Sequence, residues 1–227
     1  MTIPELKAAL LRFLVLIIAV GVLWVFILNY PKFKTTEIRL PRWMASSRKD
    51  IKMVKHKCDL NKPCPGNKFA FKVLSGAANV VGPSICFENE MIMSPVKNNV
   101  GRGLNIALVN GSTGMTLRYK SFDMYSGDPK VLLVFLKEIP EDALVLVASY
   151  DDPGTKMDDS IRQLFSDLGS NYAKQLGFRD SWVFMGARHG KSKSPYEKFL
   201  KNNPKENKYA DWPELVEIEG CVSRKLF

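Results

Sequence analysis

The sequence predicts an α+β fold, a compact sandwich in which mainly antiparallel sheets are flanked by short helices. Three observations support this prediction. Short apolar runs alternate with turn signals from residue 58 onward, the predicted strands outnumber the predicted helices, and one pair of runs is joined by an Asn-Gly turn. Apolar residues make up 46% and charged residues 25% of the 227 residues, a composition that can bury an ordinary core.

Several runs have the length and composition of strands. They are 69–74, 85–87, 91–93, 104–109, 115–122 and 143–149, with 215–218 as a closing strand before Cys221. The clearest hairpin joins the fourth and fifth runs, because Asn110-Gly111 favours the positive φ angles of a tight turn.

Three short helices are predicted. Asp128 caps the first helix, and Pro129 occupies its first position. The second covers 158–168, where apolar residues recur at helical spacing before Gly169. The third covers 195–201, behind Ser194 as a cap.

The amino-terminal residues 1–28 predict a signal peptide or an uncleaved signal anchor. Residues 13–28 are sixteen uninterrupted apolar residues that follow Lys7 and Arg12, as in secretory targeting segments. A buried core helix is the weaker alternative, because such helices normally carry a polar stripe.

Positive charge is concentrated in the next segment. Residues 29–57 hold nine Lys/Arg and two acids, whereas 58–227 hold 22 basic and 20 acidic residues. We therefore predict a basic flexible tether at 29–54 and a nearly neutral globular domain at 55–227. Nucleic acid is not an expected partner, because a phosphate-binding domain needs a basic face.

Four cysteines, Cys58, Cys64, Cys86 and Cys221, predict two disulfides in an oxidising compartment, with three possible connectivities. Neither histidine lies at a spacing typical of zinc sites, so no metal is predicted.

Two glycine-containing stretches resemble phosphate-binding loops without matching them. The pair at 101 and 103 lacks a third glycine, because Ile106 occupies that place, and it precedes a strand. The stretch 186–192 misses the Walker spacing by one residue. No nucleotide or other cofactor is expected.

Catalysis has little support in the sequence. A serine or cysteine nucleophile needs a histidine base, and the chain has only His56 and His189. Asp151 and Asp152 are compatible with acid–base chemistry or calcium binding, but adjacent carboxylates before Pro153 more often form a turn. The sequence therefore predicts a protein that is not an enzyme.

Polar and aromatic residues offer two kinds of carbohydrate-related sites. Asn110 begins the one Asn-Gly-Ser acceptor for N-glycosylation, unless it is a plain turn. Aromatic residues stand beside charges at Asp151, Arg179 and Asp211, where rings stack on sugars or simply belong to the core.

Several strings together resemble one family, the secreted cytokine-like proteins called "family with sequence similarity three". The strings are FAFK at 69–72, SGAANVVGP at 75–83, VKNNVGRG at 96–103, YDDPGTK at 150–156, GFRDSWVF at 177–184 and EGC at 219–221. The resemblance extends over nearly all of residues 55–221.

The resemblance implies a ββα sandwich with disulfides Cys58–Cys86 and Cys64–Cys221. It also implies a secreted signalling protein that acts on a cell-surface receptor in metabolic, epithelial or inflammatory regulation, with no stable membrane association after signal cleavage. Met185 stands where one relative carries an unpaired cysteine, so a monomer without a covalent dimer bond is expected.

A similar domain serves as a lectin in the stem of a Golgi O-mannose glycosyltransferase. Carried over residue by residue, its sugar contacts correspond to Arg102, Asp151 and Arg179. Planar guanidinium groups and a carboxylate suit hydroxyl and acetamide groups, so glycans are a possible partner. The alternative is that Arg102 and Asp151 form a structural ion pair.

Overall fold

The computed structural model describes residues 12, 14–25, 56–188 and 193–224. The chain divides into two units, Met1–Met53 and Val54–Phe227. The predicted tether and His189 lie outside the described residues. In the first unit, residues 14–25 are helical with exposed apolar side chains. No helix in the described ranges combines the length and the apolar character that a membrane crossing requires.

The second unit contains nine strands and two α-helices within its described residues. In chain order they are β1 Lys68–Leu74, β2 Ser84–Phe87, β3 Glu90–Met93, β4 Gly103–Asn110, β5 Thr116–Phe122, α1 Pro129–Lys137, β6 Ala143–Tyr150, α2 Asp159–Asp167, β7 Ser181–Ala187, β8 Glu197–Leu200 and β9 Glu217–Ser223. The order in one sheet is β3-β2-β1-β9, and in the other it is β5-β4-β6-β7-β8. Every neighbouring pair is antiparallel.

Two apolar layers produce the predicted sandwich. One lies between the two sheets and includes Phe71, Ala107 and Leu146, and the other lies between the larger sheet and the helices and includes Ile106, Val147 and Phe165. Strands β4 and β6 supply both layers, because alternate side chains point to opposite faces. The α+β ββα fold is therefore confirmed.

The two α-helices form where the capping signals predict them. The side chain of Asp128 accepts a hydrogen bond from Lys130 N, and that of Asp158 accepts one from Ile161 N. The second helix ends before Gly169, whose φ of 103° lies in the left-handed region that glycine tolerates.

The third predicted helix, 195–201, is wrong. Residues Glu197–Leu200 form β8, which pairs with β7 from Ser181↔Leu200 to Phe184↔Glu197. Ser194 does not cap a helix, because its hydroxyl donates to Met185 O and accepts from Tyr196 N. Sheet pairing with β7 thus overrides the local capping signal.

The predicted β4–β5 hairpin is confirmed, with a different turn conformation. Asn110 Oδ1 accepts hydrogen bonds from Ser112 N and Thr113 N. The positive φ, 78°, occurs at Gly114 and not at Asn110 or Gly111. A side chain on Gly114 would also collide with the Phe69 ring, so this glycine meets two constraints.

The four cysteines form Cys58–Cys86 and Cys64–Cys221, the pairing that the family resemblance implies. The first bond ties the turn Lys57–Asp59, which precedes β1, to β2. The second ties Cys64, also before β1, to β9. Their sequence separations are 28 and 157 residues. The longer loop restricts the unfolded chain more strongly.

We expect the two disulfides to differ in their effect on stability. The loop-entropy relation gives about 5 kcal/mol for the longer loop and about 3.5 kcal/mol for the shorter one. The Cys64→Ser/Cys221→Ser variant should therefore unfold at lower urea than the Cys58→Ser/Cys86→Ser variant. Equal midpoints, or the reverse order, would contradict this account.

Candidate functional site

Strand register brings the three predicted glycan-contacting residues to one end of the larger sheet. Gly103 pairs with Tyr150, so the residues just outside this pair are Arg102 and Asp151. Strand β7 begins at Ser181 beside the same end of β6, which places the loop carrying Arg179 next to them. Three loops therefore converge because three neighbouring strands start or end there.

Gly103 lets the chain turn into β4 at this end. Its φ is 99°, and a Cβ atom there would lie 2.1 Å from Phe122 O. Only glycine fits both the backbone conformation and this close approach. The Gly-Arg-Gly string thus positions Arg102 at the start of a strand and has no phosphate-loop geometry.

Arg102 is held by the loop that follows β5. Its Nε and Nη2 donate to the two carboxylate oxygens of Asp123, at 3.1 and 2.7 Å, and Nη2 also donates to Ser126 Oγ at 2.8 Å. The guanidinium lies 4.7 Å from the centre of the Tyr125 ring. The alternative of an ion pair with Asp151 is wrong, because Asp123 is the partner of Arg102.

These contacts shift the titration of Asp123. Hydrogen bonds from Arg102, then from Ser126 and Tyr125, stabilise the ionised carboxylate and hold the pKa of Asp123 well below its usual range. The same pairing, with a further contribution from the charge of Asp151, raises the pKa of Arg102. The loop therefore keeps both charges at neutral pH.

Asp151 directly follows β6 in an unusual backbone conformation. Its φ is 58°, a left-handed angle that is uncommon for residues other than glycine. Oδ1 accepts a hydrogen bond from Trp212 Nε1 at 2.9 Å. This bond fixes the carboxylate while leaving Oδ2 without a hydrogen bond to any described residue.

Asp152 has a different role from that of its neighbour. It is buried, and its Oδ1 accepts hydrogen bonds from Gly154 N and Thr155 N at 3.0 and 3.2 Å. This arrangement is the predicted turn, in which the side chain caps its own loop. Oδ2 of Asp152 is buried without a hydrogen-bond partner among the described residues.

Arg179 lies between two aromatic rings. Its guanidinium is 3.9 Å from the Trp212 ring centre and 4.7 Å from that of Phe178, and Nη1 donates to Asp211 Oδ2 at 3.0 Å. Its φ of 57° is also left-handed. Nη2 forms no hydrogen bond within the described part of the chain, so Arg179 is fixed yet retains a donor for a ligand.

Asp180 holds the loop that carries Arg179 through hydrogen bonds of its side chain. Its carboxylate accepts hydrogen bonds from Gly177 N and Asn202 N, each at 2.7 Å. Burial raises the pKa of Asp180 despite these bonds, and the nearby negative charge of Asp152 adds to the rise. The loop is therefore held by a side chain rather than by sheet pairing.

Exposed rings border the polar side chains. Tyr125 and Phe178 expose 48% and 46% of their surface, and their ring centres are 6.5 Å apart. Each ring also contacts one of the arginines, Arg102 or Arg179. We call Arg102, Tyr125, Asp151, Phe178, Arg179 and Trp212 the loop-end site.

Sequence reasoning missed part of this site. The aromatic–charge pairs indicated Phe178 and Trp212, but nothing drew attention to Asp123, Tyr125 or Ser126. The available signal was weak: an aspartate that directly follows a predicted strand, four residues before Gly127, is typical of a side-chain-capped turn.

The other predicted site residue, Asn110, lies in the β4–β5 turn at the far end of β4. Its Nδ2 donates to Asp142, and its Oδ1 orders the turn. N-glycosylation at Asn110 stays a prediction. Within the described ranges, no three His, Cys, Asp or Glu side chains gather as a metal site would require.

Comparison with known proteins identifies the family. Residues 102–190 match the family model described as interleukin-like EMT inducer. Mouse FAM3D is 67% identical over 219 residues, covering 96% of this chain and 98% of the relative. The chain belongs to the FAM3 family. Human FAM3D is 66% identical over 221 residues, with 97% and 99% coverage, and human FAM3A is 49% identical over 222 residues, with 95% and 96% coverage.

These comparisons confirm the family resemblance that the sequence strings indicated. Residues 38–43 and 146–156 also resemble member D, in agreement with the higher identity to FAM3D than to FAM3A. The family is cytokine-like by name and is not known as an enzyme family.

We expect the Arg102–Asp123 pair to make stability depend on pH. Because the folded-state pKa of Asp123 is lowered, its stabilisation is present above about pH 4, the ordinary aspartate value, and is lost as pH falls further. Urea unfolding should show wild type more stable than Asp123→Asn at pH 7, with a smaller difference at pH 2.5.

The matched control is Asp167→Asn, which removes an exposed acid from α2, outside the loop-end site. It should leave the stability difference from wild type nearly constant over the same pH range. A constant difference for Asp123→Asn would contradict the stabilising role of the pair.

Proposed function

We propose that this FAM3 protein is a secreted, cytokine-like or hormone-like signalling protein that acts through a cell-surface receptor in metabolic, epithelial or inflammatory regulation. One observation carries the proposal: a member of a cytokine-like family pairs all four of its cysteines, as Cys58–Cys86 and Cys64–Cys221. Structural disulfides form and persist in oxidising compartments, not in the cytosol.

The amino terminus supports export. Residues 13–28 are apolar and follow two basic residues, which is the pattern of a secretory targeting segment. We infer that this segment is cleaved and that the mature protein has no stable association with the membrane. With all four cysteines paired within the chain, no thiol is available for a disulfide between two copies, and we expect a monomer.

Binding without catalysis agrees with the hydrogen bonds that hold Asp151 and its neighbour Asp152. Asp151 accepts from Trp212, and Asp152 caps its own turn, so among the residues that the structure describes neither carboxylate is paired with a histidine or positioned against the other for acid–base chemistry. Side chains fixed in this way suit recognition.

Signalling should depend on the disulfide-bonded fold. Protein isolated from the medium of expressing cells should carry no free thiol, and it should change protein phosphorylation within minutes in at least one of several epithelial, hepatic or myeloid cell types. The same protein after reduction and alkylation is the matched control and should be inactive.

Two outcomes would overturn the signalling proposal. One is a cytosolic native protein with four reduced thiols. The other is an unchanged response to the reduced and alkylated protein, because a contaminant would then explain the signal.

A second candidate function, glycan binding without catalysis, is favoured by a specific observation in the loop-end site. Arg102, Asp151 and Arg179 are each fixed by a protein partner but leave a donor or acceptor free, beside the exposed rings of Tyr125 and Phe178. Sugars are bound by planar hydrogen bonds from such groups and by aromatic stacking.

Glycan binding should depend on the planar guanidinium group of Arg179. Arg179→Lys keeps the charge but loses the planar donors, and we expect roughly a tenfold or greater loss of affinity on a glycan array. Arg118→Lys is the matched control, because Arg118 also stacks on a ring, Phe135, and pairs with an acid, Glu138. Equal binding by wild type and Arg179→Lys, or no binding by either, would remove this candidate.

A further inference from the structure

A second surface, at the edge of the larger sheet, has the shape of a peptide groove. Strand β5 is the outermost strand of that sheet, and its outer edge pairs with no strand in the described part of the chain. Residues of β5 and of α1 line a groove of about 510 Å³. A helix beside a free strand edge is the arrangement in which extended peptides add to a sheet.

One side of the groove is apolar, and its side chains do not belong to the hydrophobic core. Val131 and Val134 of α1 line it and stay largely exposed, at 45% and 53%, while Leu132 and Leu136 of the same helix are buried in the core. Within β5 itself, Leu117 and Tyr119 are also about half exposed. An apolar surface of this kind beside a free strand edge is typical of an interaction site.

The polar side of the groove is positively charged. Arg118, Lys120 and Lys130 line it together with one acid, Glu138. Arg118 pairs with Glu138 at 3.1 Å, whereas the two lysines form no ion pair with a described residue. Two unneutralised ammonium groups therefore border the apolar surface, and an acidic partner would complement them.

Strand register fixes where Arg118, Tyr119 and Lys120 of β5 point; the register shifts at Leu117, which is left unpaired in a β-bulge. Lys120 pairs with Ile106, and Arg118 with Leu108, whose side chains face the helices. Tyr119 pairs with Ala107, which faces the smaller sheet. Arg118 and Lys120 therefore lie on the helix face of β5, and Tyr119 lies on the opposite face.

A second copy of this chain is disfavoured at the edge in the register centred on Tyr119. If two β5 strands paired antiparallel about Tyr119, Arg118 of one copy would stand opposite Lys120 of the other. Like charges directly opposite each other destabilise a strand pair, and basic edge strands commonly prevent self-association. The same charges favour a strand of opposite charge.

We propose that this groove binds an extended acidic segment of another protein, which adds to β5 as a sixth, antiparallel strand. Acidic residues of the segment lie opposite Arg118 and Lys120, and the apolar residue between them lies next to Tyr119. Directly opposed side chains have Cβ atoms about 4.5–5.5 Å apart, close enough for these pairs to form. The recognised pattern is an alternation of acidic and apolar residues.

Fluorescence anisotropy with labelled peptides tests the charge pattern. A nine-residue peptide with the core IEVEI should bind the full chain isolated from expressing cells at least tenfold more tightly than one with the core IKVKI. The Lys120→Glu variant should lose this preference, and the IKVKI peptide should bind that variant better than it binds wild type. Lys198→Glu, on β8 at the opposite edge of the same sheet, should change neither affinity.

Backbone N-methylation tests strand addition without altering the protein. In an added strand, alternate N–H groups of the peptide point toward β5, and the others point away. Methylating one alternate set of the IEVEI peptide should abolish binding, whereas methylating the other set should preserve it. Equal affinities for the two methylated peptides would overturn strand addition.

Other occupants of the groove would also overturn the proposal. Lys120-dependent binding to phosphatidylserine vesicles, without binding to the IEVEI peptide, would assign the groove to a membrane surface. A dimer in sedimentation equilibrium that Lys120→Glu dissociates would assign it to a second copy. Thermal unfolding of both glutamate variants checks that the fold is retained.

Discussion

Burial of β4, β6 and β7 on both faces is the constraint on which the rest of the structure depends. Alternate residues of β4 and β6 enter the layer beneath the helices and the layer between the sheets. A slip of one residue would exchange the two sets and disrupt both layers, so the register is fixed. Because the register is fixed, the ends of these strands are fixed too. The loops that carry Arg102, Asp151 and Arg179 therefore meet at one place.

The loop-end site combines a rigid sheet with loops in less common backbone conformations. Asp151 and Arg179 both have left-handed φ angles, and each is stabilised by contacts with the segment around Trp212, which precedes β9. Such conformations persist where the surroundings enforce them. Recognition residues that are fixed before a ligand arrives lose less entropy on binding. At β5, by contrast, the outer edge pairs with no strand of the described residues, and a strand added there would supply the missing hydrogen bonds.

Local sequence patterns predicted the caps and the turn, which depend on contacts within a few residues. They failed for the elements and contacts that depend on residues far away in the sequence. Capping by Asp128 and Asp158 and the β4–β5 turn were readable because cap and turn chemistry act within a few residues. Residues 195–201 carry a capping signal too, but their pairing with β7 outweighs it. The Asp123 partner of Arg102 is 21 residues away, so no local rule could identify it. Neither could the residue pattern choose among three cysteine connectivities, which the family resemblance resolved.

The pairing of β1 with β9 brings the two ends of the described domain together. Lys68 lies opposite Ser223, Arg224 N donates to Asn67 O at 3.1 Å, and the Cys64–Cys221 bond closes the chain beside them. Residues 64–221 therefore form a covalent ring closed by this disulfide. One peptide-bond cleavage anywhere between residues 64 and 221 opens that ring without separating the fragments. A chain cleaved once in this way gains only one water molecule in mass, and its two fragments separate only when the Cys64–Cys221 bond is reduced.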